Sequence, residues 1–181
     1  MKLTRNFLIL IIWIAALSGC TNTTTNQCTV GQGVVIPASD TTDPSVVMDV
    51  HLPNGNIVTV TAGSGISTVP VPGGGKVTLI VNAKDSEGVQ DAQIWAASIT
   101  TKIDPVTGTA SKTGPASFSA PTTSNRDSSS AGQNGCTERL ASTNLEVSKT
   151  LTGSVSFEVR AVGVNFGGKS VSTPLVTLVA Q

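Results

Sequence analysis

The chain has 181 residues, and its 11 Lys and Arg side chains balance 11 Asp and Glu side chains, for a formal net charge of +0 at pH 7. This length suits one domain of ordinary size with a hydrophobic core, and it excludes two large domains. The basic residues form no cluster, which disfavours nucleic acid or an anionic lipid surface as an electrostatic partner.

Residues 1–19 have the three parts of a secretory signal. Lys2 and Arg5 supply positive charge, residues 7–17 are almost wholly apolar, and Ser18 and Gly19 are small. The apolar stretch is shorter than the roughly 20 residues that a membrane-spanning helix needs. We therefore expect residues 1–19 to be a targeting segment outside the fold.

The end of this segment, Leu17-Ser18-Gly19-Cys20, resembles the lipobox of bacterial lipoproteins at all four positions. The resemblance implies that Cys20 receives a diacylglyceryl group, that a peptidase cuts after Gly19, and that the new amino group is acylated. Two or three such chains together anchor a protein firmly, since each buried methylene contributes about 0.8 kcal/mol. Thr21 stands where many Gram-negative lipoproteins carry an inner-membrane retention aspartate, so the resemblance also favours the outer membrane. The alternative is an ordinary signal peptide followed by a coincidental cysteine.

Cleavage would remove Lys2 and Arg5 but no acidic residue, leaving nine basic side chains against eleven acidic ones and a charge near −2. Residues 20–28 are rich in Thr and Asn, which predicts a flexible tether between the lipid and a domain over residues 29–181.

The domain itself has the pattern of an all-β protein, because Val, Thr, Ser, Gly and Ala dominate and apolar residues do not recur at helical spacing. Residues 46–62 alternate on both sides of Asn54-Gly55, which predicts a hairpin. Residues 76–84, 89–99 and 155–161 alternate in the same way. In residues 170–180, Pro174 predicts an edge strand or a bulge.

The segments 76–85, 88–96 and 153–179 resemble strands B, C, F and G of bacterial immunoglobulin-like or fibronectin-type-III-like domains. The resemblance implies an antiparallel β-sandwich of about seven to nine strands, here with an N-terminal hairpin. The chain departs from the pattern because it contains no tyrosine for a tyrosine corner and no cysteine pair to bridge strands B and F. Residues 104–143, rich in Ser, Thr and Gly, predict a long C-to-E loop that is either functional or partly disordered.

The cysteines are Cys20, Cys28 and Cys136. If Cys20 carries lipid, the other two remain as an even pair in an oxidising compartment, which predicts a Cys28–Cys136 disulfide. This disulfide would tie the start of the domain to the long loop and restrict the unfolded chain by roughly 3 to 5 kcal/mol. Free thiols or an intermolecular bridge are the alternatives.

Catalytic patterns are missing from the sequence. His51 is the single histidine, and its place on the polar face of the predicted hairpin favours a surface role over a general base. No Gly-x-Ser-x-Gly motif marks a nucleophile. A zinc site from Cys28, Cys136 and His51 would lack a fourth ligand. We therefore expect no catalytic residue, no cofactor and no metal centre.

Three carboxylates, Asp85, Glu87 and Asp91, cluster near the predicted turn between strands B and C. A solvated turn is the simpler interpretation. A weak calcium site is the alternative, although the spacing fits no EF-hand loop.

Trp95 is the single tryptophan after the signal segment. If Ala92 and Ile94 face the core, Trp95 points outward and can anchor a partner. In the opposite register it is the core tryptophan of strand C. The alternation pattern leaves both registers open.

The sequence favours a non-enzymatic lipoprotein of the cell envelope that binds a protein or glycan partner, or that serves as an accessory module. The membrane is reached through the lipid on Cys20, and Trp95, the sheet edges and the loop over 104–143 are the expected contact surfaces. One alternative is a structural spacer without a specific ligand, which predicts a disordered loop and no large apolar patch. The other alternative is a small hydrolase.

Overall fold

The computed structural model describes residues 33–115 and 117–181. These residues form thirteen strands and no helix, which confirms the predicted all-β class. In chain order the strands are β1 (Gly33–Val35), β2 (Ser45–His51), β3 (Ile57–Thr61), β4 (Thr68–Val71), β5 (Gly75–Lys84), β6 (Val89–Ile103), β7 (Ala110–Thr113), β8 (Thr123–Arg126), β9 (Asn134–Cys136), β10 (Glu138–Thr150), β11 (Gly153–Asn165), β12 (Ser170–Ser172) and β13 (Val176–Ala180). Within the described ranges no helix is long and apolar enough to cross a membrane.

The strands build two facing sheets that share β10. In the first sheet the order is β3-β2-β5-β10, and in the second β11 lies between β6 and β13, with β4 beyond β13. The long strand β10 pairs with β5 through residues 138–147 and with β11 through residues 148–150. The predicted β-sandwich is therefore confirmed. Its strands outnumber the seven to nine expected because short strands are added, and β1 and β9 form a separate two-stranded sheet. The expectation that all strands run antiparallel is wrong at one edge, where β4 pairs with β13 in parallel.

The core lies between the two sheets. Met48 on β2, Leu79 on β5, Ile94 on β6 and Leu178 on β13 are each 0% exposed and belong to one cluster. Full burial of one such side chain contributes about 1.5 to 3 kcal/mol. The period of two in the sequence predicted a shared face for Met48 and Val50 and another for Leu79 and Val81, whereas for Ile94 it left both registers open.

The predicted N-terminal hairpin is formed by β2 and β3, with Val50 opposite Val58. Gly55 has a φ of 86°, a conformation that glycine adopts without steric cost. The Leu52 amide donates to the Asn56 carbonyl at 2.8 Å and closes the turn.

Pro174 divides the last predicted strand into β12 and β13. The Thr173 hydroxyl oxygen accepts a hydrogen bond from the Ala161 amide at 3.0 Å, while the Thr173 amide donates to the Ala161 carbonyl at 3.0 Å. The side chain of Thr173 thus takes over a position in the hydrogen-bond ladder where the strand is interrupted.

The predicted long connection runs from the end of β6 to the start of β10, but it contains three short strands. β8 pairs with residues 91–94 of β6, and β7 pairs with residues 100–103 of the same edge. β9 pairs with β1. A buried ion pair between Asp127 and Arg139 fastens the end of β8 to β10. The connection between β6 and β10 therefore contains regular structure and packs along the outer edge of the second sheet.

Candidate functional site

Trp95 lies on the outer face of the second sheet. Its neighbours Ala92 and Ile94 are both 0% exposed, so alternate residues of β6 point away from the core. Trp95 itself is half-buried. Of the two registers that the sequence left open, the structure therefore adopts the outward one.

Arg160 on β11 is directly opposite Trp95 in the register of the sheet. Its guanidinium carbon lies 5.2 Å from the centre of the Trp95 ring and 5.3 Å from that of Phe118. The two rings meet edge to face, with their centres 6.2 Å apart. Both distances to the cation are within the range of about 6 Å for cation–π attraction. We call Trp95, Phe118 and Arg160 the aromatic–arginine group.

A chain of hydrogen bonds fixes the orientation of the Trp95 ring. Its indole Nε1 donates to the Gln93 side-chain oxygen at 2.9 Å, and the Gln93 amide donates to Asp91 Oδ2 at 2.7 Å. The Ser124 hydroxyl on β8 donates to Asp91 Oδ1 at 2.8 Å. The short strand β8 thus supports the indole through two side chains.

The Arg160 side chain has N–H groups without a hydrogen-bond acceptor. Its Nε is buried and has no partner among the described residues, and the ion pairs found in these ranges involve other cations. A guanidinium carries five N–H donors and stays charged. Because Arg160 is partly exposed, its terminal nitrogens, and not the buried Nε, are the donors that an acceptor from solvent can reach.

A cavity of about 460 Å³ is lined by Phe118 of the aromatic–arginine group, whereas Trp95 and Arg160 lie outside its lining. Among the described strands, none pairs with this outer edge of β6 between the residues that pair with β8 and those that pair with β7, and the cavity lies there. The Thr122 amide donates to the Ile94 carbonyl at 2.8 Å and anchors one side of this opening. The polar side chains that line the cavity are serine and threonine hydroxyls, those of Ser98, Thr100, Thr113, Ser117 and Ser119.

Two of the predicted calcium ligands, Asp85 and Glu87, lie in an acidic cluster with Asp40 and Thr42. The Thr42 hydroxyl is 2.8 Å from Asp85 Oδ1, 3.1 Å from Asp40 Oδ1 and 3.4 Å from Glu87 Oε2. One hydroxyl proton serves one acceptor at a time, so the carboxylates are crowded. Burial raises the pKa of Asp40, and the side chain of Glu87 adds to this effect, against the lowering hydrogen bonds from Thr42.

Asp91, the third predicted ligand, has different partners, because its carboxylate is bound by Ser124 and Gln93. In the part of the chain that the structure describes, no group of three or more His, Cys, Asp or Glu side chains has the spacing to hold a metal ion. Sequence reasoning missed Asp40, since no local motif links it to the turn that carries Asp85.

The remaining predicted residues stand apart from the aromatic–arginine group. Cys20 and Cys28 lie outside the described residues, so the lipid attachment and the Cys28–Cys136 disulfide stay predictions. Cys136 is 1% exposed on β9. His51 is on β2 in the other sheet, with Ile57 and Thr78 as its cross-strand neighbours, so the strand register sets no carboxylate opposite the imidazole.

The comparisons with known proteins give no family for this chain: no family model matches it, and no curated protein matches it. Its own geometry offers a fixed indole, a second aromatic ring, a cation with unused donors and a cavity lined by hydroxyls. Groups of these kinds are common at ligand-binding surfaces of proteins.

Proposed function

We propose that the protein is a non-enzymatic binding module of the bacterial cell envelope, anchored through a lipid on Cys20 and located at the outer membrane. The membrane part of this proposal is supported by the lipobox resemblance of residues 17–20. The binding part is supported by one observation, the aromatic–arginine group on the outer face of the second sheet.

The composition makes this group unusual within the chain. Only four aromatic residues follow the signal segment, and two of them, Trp95 and Phe118, meet on this outer face beside Arg160. Trp and Arg are the residues most often found to dominate binding energy at interfaces. The Gln93 hydrogen bond already holds the indole in place, so little side-chain freedom is lost on binding.

The alternatives have less support. A spacer without a ligand predicts a disordered stretch over 104–143, whereas β7, β8 and β9 lie within it. A hydrolase would require His51 near a nucleophile and a carboxylate. The cross-strand neighbours of His51 are Ile57 and Thr78, so the register of the sheet places no carboxylate directly opposite it.

A capture experiment from detergent-solubilised membranes tests the proposal. Full-length wild type is compared with Trp95→Ala and with Ile57→Ala, which removes an apolar side chain that is 55% exposed on β3. Bound material is analysed for both protein and sugar. We expect Trp95→Ala to lose the captured ligand by about tenfold or more, an energy typical of an interface hot spot, and Ile57→Ala to retain it.

Recovery of the same material with Trp95→Ala as with wild type would overturn the proposed contact surface. Loss with Ile57→Ala instead would move the contact to the edge strand β3. The Cys20→Ser variant tests the anchor separately. We expect this variant to be lost from the membrane fraction. Native protein without an acyl group on Cys20 would contradict the lipid attachment.

A further inference from the structure

The guanidinium of Arg160 lies beside both rings, with its carbon 5.2 Å from the centre of the Trp95 ring and 5.3 Å from that of Phe118. The described residues supply no acceptor for its buried Nε. Arg160 as a whole is partly exposed and enters no ion pair among the described residues, so its terminal nitrogens are the donors that a ligand can reach.

We propose that the aromatic–arginine group and its adjoining cavity bind an acidic saccharide, with Arg160 pairing the carboxylate and Phe118 packing against the sugar ring. This proposal rests on the proposed binding function and names the class of its ligand.

The chemistry of Arg160 favours a carboxylate as the charged group of the ligand. A guanidinium presents its donors in a planar fork that matches the two oxygens of a carboxylate, and such charged pairs are stronger than neutral hydrogen bonds. The neighbouring rings of Trp95 and Phe118 displace water from the guanidinium, which strengthens the pair further because the local dielectric is lower.

The saccharide follows from the lining of the cavity. Its volume of about 460 Å³ lies within the range of about 300 to 1,000 Å³ for small-ligand pockets. Its side chains are small, and several are hydroxyls, as at Ser98, Ser117 and Ser119. A hydroxyl both donates and accepts hydrogen bonds, so this lining complements the hydroxyls of a sugar.

Glu158 limits how much negative charge the ligand can carry. It lies two residues before Arg160 on the same face of β11, opposite Ala97, which lines the cavity. A densely charged polyanion would meet this carboxylate. The arrangement instead favours a sugar with one carboxylate over Arg160 and with neutral hydroxyls over Ala97.

Calorimetric titration of the detergent-solubilised full-length protein tests this inference with a matched pair of probes. Cellobiouronic acid carries one carboxylate, and cellobiose is its neutral counterpart. We expect the acid to bind about tenfold more tightly than cellobiose, a preference that added salt reduces. In Arg160→Gln this preference should disappear, while Arg160→Lys, which keeps the charge but not the planar fork, should retain part of it.

Near-UV circular dichroism of Trp95 checks that each variant is folded, and Arg160→Lys replaces Arg160→Gln in the comparison if the latter loses the native signal. Equal binding of the two probes, or no binding of either, would overturn the acidic saccharide. Tighter binding of an acetylated dipeptide with a free carboxylate would show that the site takes a peptide terminus instead. In each of these cases the proposed function still depends on the Trp95→Ala capture experiment, so the two failures are distinguishable.

Discussion

Arg139 and Asp127 form an ion pair in which each side chain is only 2% exposed. Arg139 also donates from Nε to the Val89 carbonyl at 2.8 Å, and the Ser129 amide donates to Asp127 Oδ1 at 2.9 Å. The pair thereby joins the start of β6, the end of β8 and the start of β10. We predict that Arg139→Met destabilises the protein by about 3 to 5 kcal/mol, because it leaves a buried carboxylate without its cation. Urea unfolding measures this loss.

The double variant Asp127→Leu with Arg139→Met is the control for this prediction. It removes both buried charges, so it should recover most of the stability that the single variant loses. A single variant within about 0.5 kcal/mol of wild type, the usual effect of a surface substitution, would show that the pair contributes nothing to the fold.

Asp40, in the acidic cluster, is expected to make the stability of the folded protein depend on pH. Burial and the neighbouring Glu87 raise the pKa of Asp40, so the folded state binds its proton more tightly than the unfolded state does. Asp40 therefore adds stability as the pH falls through its raised pKa, and its charge costs stability at neutral pH. We expect Asp40→Asn to raise the urea midpoint at neutral pH and to lose this gain in acid.

Glu138→Gln is a control for which we expect the opposite change in stability at neutral pH. The Asn82 amide and the neighbouring Lys84 lower the pKa of Glu138, so its carboxylate stabilises the protein above the unfolded pKa and stops doing so as the pH falls through the folded pKa. This substitution should therefore cost stability at neutral pH and less in acid. A midpoint shift for Asp40→Asn that is the same at every pH would mean that charge is not its cause.

Gly114 lies close to β6 in the segment that leads to Phe118. It has a φ of 88°, and an added Cβ would lie 2.6 Å from the Ser98 carbonyl oxygen. Gly114→Ala should therefore move the backbone beside β6 and displace Phe118 from Trp95. Gly108→Ala is a matched control, because Gly108 has a φ of 69° but an added Cβ would meet nothing within 4 Å.

Near-UV circular dichroism and Trp95 fluorescence report the displacement. We expect both signals to change in Gly114→Ala and to stay at their wild-type values in Gly108→Ala. Equal changes in the two variants would assign the effect to backbone strain alone, and no change in Gly114→Ala would contradict the coupling to Phe118.

The two sheets could be predicted from the sequence because their strands each bury one face. On β5, Val77, Leu79, Val81 and Ala83 are all 0% exposed, and this alternation is directly visible along the chain. The strands β7 and β8 left no such signal. All four residues of β7 are exposed, so no inward face imposes an apolar residue at every second position.

The candidate site was predicted only in part, for a related reason. Alternation showed that Trp95 and Ile94 face opposite ways, but it did not show which of them faces the core. Phe118 lies in a stretch without periodicity, and Arg160 is 65 positions from Trp95 in the numbering. The partners of Trp95 are set by the pairing of β6 with β11, which is a property of the tertiary structure.

The predicted Cys28–Cys136 disulfide can be tested by alkylation and mass spectrometry. We expect the denatured, unreduced protein to take up no iodoacetamide at either residue, and reduction to expose both thiols. Reduction should also lower the stability, by roughly 3 to 5 kcal/mol in the loop-entropy account. Alkylation of either residue without reductant would contradict the disulfide.

Photo-crosslinking in cells tests most directly whether the aromatic–arginine group contacts a ligand. The photoreactive residue p-benzoylphenylalanine replaces Phe118 in one full-length variant and Ile57 in another, and the fraction of protein shifted to higher mass is measured after irradiation. We predict a shifted species from position 118, its loss when Arg160→Gln is added, and little crosslinking from position 57. Absence of crosslinks at position 118, or equal crosslinking at both positions, would contradict a binding role for this surface.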